Sequence, residues 1–117
     1  MTHSTHHLRV SLLRVTPKVT RDFLVPSDLS LDRLHQVLQI VMGWEDDHLH
    51  EFIVGTLRDG ERYGPPQPPS SFGFGARRAK PEKRHTLGQI APQKGSKLLY
   101  WYDFGDDWYH EIAVKGI

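Results

Sequence analysis

Apolar residues change their spacing several times along this chain, and each change predicts an element. Leu8 to Val15 (LRVSLLRV) reads as a strand broken at Thr16-Pro17, and Val19 to Val25 reads as a second one ended by Pro26. Two strands so close in sequence predict an antiparallel pair. The period then lengthens. Leu31, Leu34, Leu38 and Val41 recur at helical spacing, with Val37 and Met42 widening the stripe, which predicts a helix over 31–42. Ser30 suits its N-cap, and Asp32 sits in the first turn, where the helix dipole favours an acid. Gly43 suits the left-handed residue that closes a helix. Alternation returns in HLHEFIVG, residues 48–55. It puts His48, His50, Phe52 and Val54 on one face of a strand and Leu49, Glu51 and Ile53 on the other.

Residues 59–85 show little apolar periodicity and include PPQPPSSFGFG followed by ARRAKPEKRH, which predicts a long surface loop. A short helical turn is expected at Thr86 to Ile90. The chain then offers a hairpin, LLYWYDF (98–104) and WYHEIAV (108–114), joined around Gly105-Asp106-Asp107. Gly105 is the residue expected to supply a left-handed turn conformation. Leu98, Tyr100, Tyr102 and Phe104 share one face of the first strand; Trp108, His110, Ile112 and Val114 share one face of the second. Trp101 and Tyr109 fall on the opposite face, where they would be partly exposed. The predicted fold class is α+β: an antiparallel sheet in the order β-β-α-β-loop-β-β, with one main amphipathic helix on one face.

Composition narrows this picture. A length of 117 residues fits one domain, and with 38% apolar residues the core must lean on its twelve aromatics. The net charge of +1 favours no class of partner. With no cysteine, disulfides, thiolate chemistry and cysteine zinc sites are excluded. No apolar run approaches the roughly 18 residues that span a bilayer, so no membrane partner is expected and a cytoplasmic location is the default. His3, His6 and His7 read as a solvated, tag-like N-terminus.

The candidate chemistry lies in the remaining histidines and in the hairpin acids. His48, His50, Asp103 and His110 could hold a divalent metal, the one cofactor these side chains suit, if the strand and the hairpin end converge. A bound cation would then activate water for hydrolysis, with Asp106 or Glu51 as base. Against this, histidines beside Phe52 and Ile112 suit a structural polar network, and Asp103 and Asp106 suit side-chain caps of the hairpin turn. His35, Asp106, Trp44 and Trp108 are the ligand or network candidates in that reading. A second feature is RRAKPEKR, residues 77–84. Its Arg77, Arg78, Lys80, Lys83 and Arg84 could contact nucleic-acid phosphates, or could simply keep a loop solvated. No phosphate loop, dinucleotide fingerprint or nucleophile elbow occurs.

Two longer stretches carry a resemblance. LDRLHQVLQIVMGWEDDHLHEF (31–52) and YDFGDDWYHEI (102–112), together with the spacing Pro17, Arg21, Val25-Pro26, resemble the plasmid pRiA4b ORF-3-like family. Thr20 stands where that family usually has tryptophan, and the basic 77–84 run where it is more often acidic. The resemblance implies a single domain over 1–117, a further C-terminal segment beyond Ile117, and an association with plasmids and other mobile elements. It implies no particular reaction. Some relatives are labelled recombinase-like, but neither a serine nor a tyrosine recombinase constellation occurs here. The expectation is a binding or accessory module contacting DNA or a protein partner. The alternative is a metal-dependent hydrolase built on the His/Asp cluster.

Overall fold

The computed structural model describes residues 4–66 and 79–117. Among these residues seven strands form one sheet: β1 (Thr5–Leu12), β2 (Val19–Pro26), β3 (His50–Val54), β4 (Glu61–Gly64), β5 (Lys80–Pro81), β6 (Lys97–Tyr102) and β7 (Trp108–Gly116). Helix α1 (Leu31–Met42) lies between β2 and β3; a 3-10 turn (Glu82–Arg84) and the short α2 (Leu87–Ile90) lie between β5 and β6. The spatial order is β2-β1-β7-β6-β3-β4-β5. Every neighbouring pair is antiparallel except β4–β5, which is parallel.

The sheet buries one face under α1 because its strands alternate. Leu8 and Val10, Ile112 and Val114, Leu98, Tyr100 and Tyr102, and Phe52 all point to this side and enter one core with Leu31, Leu34 and Leu38 of the helix. Burying each such side chain stabilises the fold by roughly 1.5–3 kcal/mol. Leu87 and Ala91 bring α2 to the same side. The other face carries Arg9, Asp22, Glu51, Ile53, Arg62, Trp101 and Tyr109. There Trp101 stacks on Tyr109 at 5.6 Å, and Ile53 is fully buried.

Four expectations need correction. The loop expected over 59–85 contributes two strands, because Tyr63 pairs with Phe52 and buries its ring while Lys80 pairs alongside it. Among the described residues the sheet therefore has seven strands and is mixed, not a five-stranded antiparallel one. The first strand is shifted to Thr5–Leu12, and His6 belongs to it: its ring nitrogens bond the Ser27 hydroxyl and the Ala91 carbonyl. Gly105 does not supply the left-handed turn conformation. Asp103 (φ 62°) and Asp107 (φ 57°) do, since a short polar side chain tolerates that region better than most. Phe104 leaves the face of Tyr102 and packs on Trp101 at 4.1 Å. The helix bounds, the closing Gly43 (φ 75°) and the helical turn capped by Thr86 are as the sequence indicates.

Candidate binding cleft

Where α1 ends, its last carbonyls are capped by the backbone N–H groups of Gly43 and Trp44, which bond Ile40 and Gln39. The chain turns there and runs as a loop, 44–49, to β3. Across from this loop stands the turn of the β6–β7 hairpin. Asp103 holds that turn: its Oδ1 accepts the N–H groups of Gly105 and Asp106 at 3.1 and 3.2 Å. Its own N–H donates to the Leu49 carbonyl at 2.9 Å, which ties hairpin to loop. Between them lies a cleft of about 310 Å³.

Aromatic rings line the cleft. Trp44 lies 5.4 Å from Tyr102 and 5.7 Å from Trp108, its plane tilted 34° to each. Carboxylates rim it: Glu45, Asp47, Asp103 and Asp106. Among the described residues, His48 is the one basic side chain in the lining, held 3.4 Å from Asp47 and 3.6 Å from Asp103. The Tyr102 hydroxyl donates to Asp47 Oδ1 and accepts the Asp47 N–H, fixing the loop wall. The carbonyl end of α1 adds further negative potential.

Behind the cleft runs a buried polar chain. His35 and His50 stack face to face, ring centres 3.5 Å apart and nearly parallel. His35 Nε2 meets Asp46 Oδ1 at 2.7 Å, and His50 Nε2 meets Glu82 Oε1 at 2.7 Å. With Nε2–H donating to Asp46, His35 Nδ1 accepts from the Tyr100 hydroxyl at 2.6 Å, and that oxygen in turn accepts from Gln39 Nε2. Gln39 Oε1 receives the Asp46 N–H. Burial first, and the facing His50 second, hold His35 below the ordinary histidine pKa, against the pull of Asp46. Burial pushes the Tyr100 hydroxyl well up.

His110 is fully buried, and both its nitrogens are engaged. Nδ1–H donates to the Tyr100 carbonyl, and Nε2 accepts the Trp44 indole N–H at 3.0 Å. A proton or a metal at Nε2 would displace that indole bond. Burial keeps its pKa low.

The four nominated metal ligands thus divide. His48 and Asp103 meet at the cleft mouth; His50 turns inward to Glu82; His110 lies under Trp44. His48 also falls outside β3, so the two histidines do not project together from one strand. Among the described residues no three histidine or acidic side chains gather where they could hold a metal ion. Trp44, Trp108 and Asp106 do meet, in the cleft, whereas His35 joins the buried chain. Of the basic run, Arg77 and Arg78 lie outside the described residues. Lys80, Lys83 and Arg84 are exposed, with Lys80 paired to Glu61 at 3.2 Å. Sequence reasoning missed Glu82, whose side chain is 6% exposed beneath those bases, and Asp46 and Asp47. No local pattern marks Glu82, because its partner is 32 residues away.

Both quoted motifs contribute to the cleft, Trp44 and His48 from the first and Tyr102 and Trp108 from the second. The family model described as plasmid pRiA4b ORF-3-like protein matches residues 4–117. The chain is 39% identical over 116 residues to "Uncharacterized protein y4hQ" of Sinorhizobium fredii, covering 98% of this chain and 55% of that protein. It is similar to the crystal structure of a protein of unknown function, MM3350, from Methanosarcina mazei Go1. There the TM-score is 0.79 and the identity 29%, over 97% of this chain and 60% of the other. The chain therefore spans about half the length of the curated relative it matches.

Proposed function

The chain belongs to the plasmid pRiA4b ORF-3-like family, and from that premise we propose that it is a binding module that seats a cationic side chain of a protein partner in the Trp44–Trp108 cleft. One observation carries the reading: three aromatic rings line a cavity whose rim holds four carboxylates and a single histidine. An ammonium or guanidinium gains from aromatic faces and from nearby carboxylates together. The same rim repels phosphate, which disfavours the cleft as a nucleic-acid site.

Arginine amide and a short lysine/arginine peptide, titrated into isotope-labelled protein, test this. Saturable shifts are expected at the indole N–H groups of Trp44 and Trp108 and at the Asp106 amide, weakening with salt. Trp108→Ala should weaken binding by roughly twofold to thirtyfold, the range that follows from a cation–π contribution of about 0.5–2 kcal/mol. Asp103→Asn/Asp106→Asn, which keeps the turn's acceptors, should flatten the salt dependence. No shift with either probe would sink the reading. Salt-sensitive binding of duplex DNA, lost when Lys80, Lys83 and Arg84 become alanine, would replace it with a nucleic-acid role. Stoichiometric metal lost in His48→Ala/His50→Ala would replace it with the hydrolase.

A further inference from the structure

We infer that the stacked His35–His50 pair is a proton-operated latch on the loop that walls the cleft, closed at neutral pH and released in acid. The effect on ligand rests on the cleft reading; the movement of the loop does not.

The argument is one of proton capacity. The groups facing the pair are Asp46 from the loop, Glu82 from the 3-10 turn, Tyr100 from β6 and Gln39 from α1, with Tyr102 two residues further along β6. Asp32 lies one turn back on α1, and the exposed Lys83 and Arg84 follow Glu82 in sequence. Two carboxylates thus flank two imidazoles, one at each outer nitrogen. One added proton can be shared in this arrangement: an imidazolium on Glu82 stacks acceptably on a neutral His35. A second cannot. Two imidazoliums 3.5 Å apart repel, and protonation at His35 Nδ1 takes away the acceptor of the Tyr100 hydroxyl. Gln39 already donates to that same oxygen, so the hydroxyl proton is left buried without a partner.

The disturbance has a short route to the cleft. Gln39 holds Asp46 through its backbone N–H at 2.6 Å. Its carbonyl also accepts the Trp44 N–H. The next residue, Asp47, lines the cleft and is pinned to Tyr102. Losing the His35–Tyr100–Gln39 arrangement therefore loosens 44–47 while the distant β1–β2 ladder is untouched.

The test follows the Asp46 and Asp47 amides and the Trp44 indole N–H by NMR as pH is lowered. The latch predicts one joint transition, with its midpoint below the ordinary histidine value of about 6.5, while the Ser11 and Thr20 amides in the β1–β2 ladder stay unchanged. Removing the like-charged neighbour by His50→Gln should raise the midpoint. Removing the favourable carboxylate by Glu82→Gln should lower it. These opposite shifts protect the test should either variant fold poorly. Loop signals that stay flat until global unfolding overturn the latch, as does a midpoint that neither variant moves. Arginine amide affinity falling in the same pH window supports the coupling to the cleft. A loop transition in a protein that binds no arginine amide at any pH supports the latch and removes the cleft reading alone.

Discussion

At the scale of single residues, the chain invests its few buried polar groups in completing one another. Tyr100 is the hub: its hydroxyl serves Gln39 as acceptor and His35 as donor, and its carbonyl accepts from His110. Tyr100→Phe keeps the ring and removes the oxygen, stranding a buried donor and a buried acceptor. It should cost about 1–3 kcal/mol in denaturant unfolding, with the larger change in NMR signals at His35 than at Phe52. Gly43 makes a different point. A Cβ there would meet nothing within 4 Å, yet its φ of 75° is left-handed. Gly43→Ala should therefore lower stability by about 1–2 kcal/mol through backbone strain alone, and Gly43→Asn by less. A thermal melt of the two variants side by side checks both sign and order.

At the scale of elements, helix α1 does two jobs from its two halves. Its first turns supply the apolar stripe, and its last turn delivers Gln39 and the capping geometry that aims Trp44 across the cleft. Leu38→Ala should cost about 2–5 kcal/mol, because Leu38 is fully buried between sheet and helix. What was legible in sequence divides along the same line. The helix, the closing hairpin and β3 carry their period in neighbouring residues, so the alternation of Trp108, His110, Ile112 and Val114 suffices to orient β7. Strand β4 has no such signal: in Glu61–Gly64 only Tyr63 is a large apolar residue, and its place is set by pairing with Phe52. The site was legible as a list and not as a geometry. Trp44, Asp103, Asp106 and Trp108 stand out by type, and the turn-capping role of Asp103 follows from its position. That His48 and His50 part company follows from where β3 starts, and that His50 finds Glu82 follows from tertiary packing; neither is written in local sequence.

At the scale of the whole molecule, the buried histidines make stability depend on pH. His35 and His110 both have folded-state pKa values below the ordinary one, from burial first. Each therefore contributes stability that is fully present above about pH 6.5 and is lost as pH falls below it toward the folded value. The denaturant midpoint should hold steady from pH 8 to 7 and fall steadily between pH 6.5 and 5, before most surface carboxylates titrate. Urea melts across that range measure it. A midpoint that stays level to pH 5 would mean these imidazoles gain their protons without loss of structure.

The order β2-β1-β7-β6-β3-β4-β5 puts two strands far apart in sequence, β1 and β7, side by side, one strand in from the β2 edge of the sheet. Residues 7–12 lie against residues 110–116, so the pairing that joins the β1–β2 hairpin to the rest closes a loop of about a hundred residues. Loop closure of that length must precede the contacts that reward it, which predicts folding slower than that of helical bundles of similar size. During synthesis the apolar stripe of α1 and the inner face of β1 emerge long before β7 exists to complete the surface they bury against. A ribosome-bound nascent chain stalled before Trp108 should accordingly remain open to protease and recruit chaperones, and protection should appear only once β7 has cleared the exit tunnel.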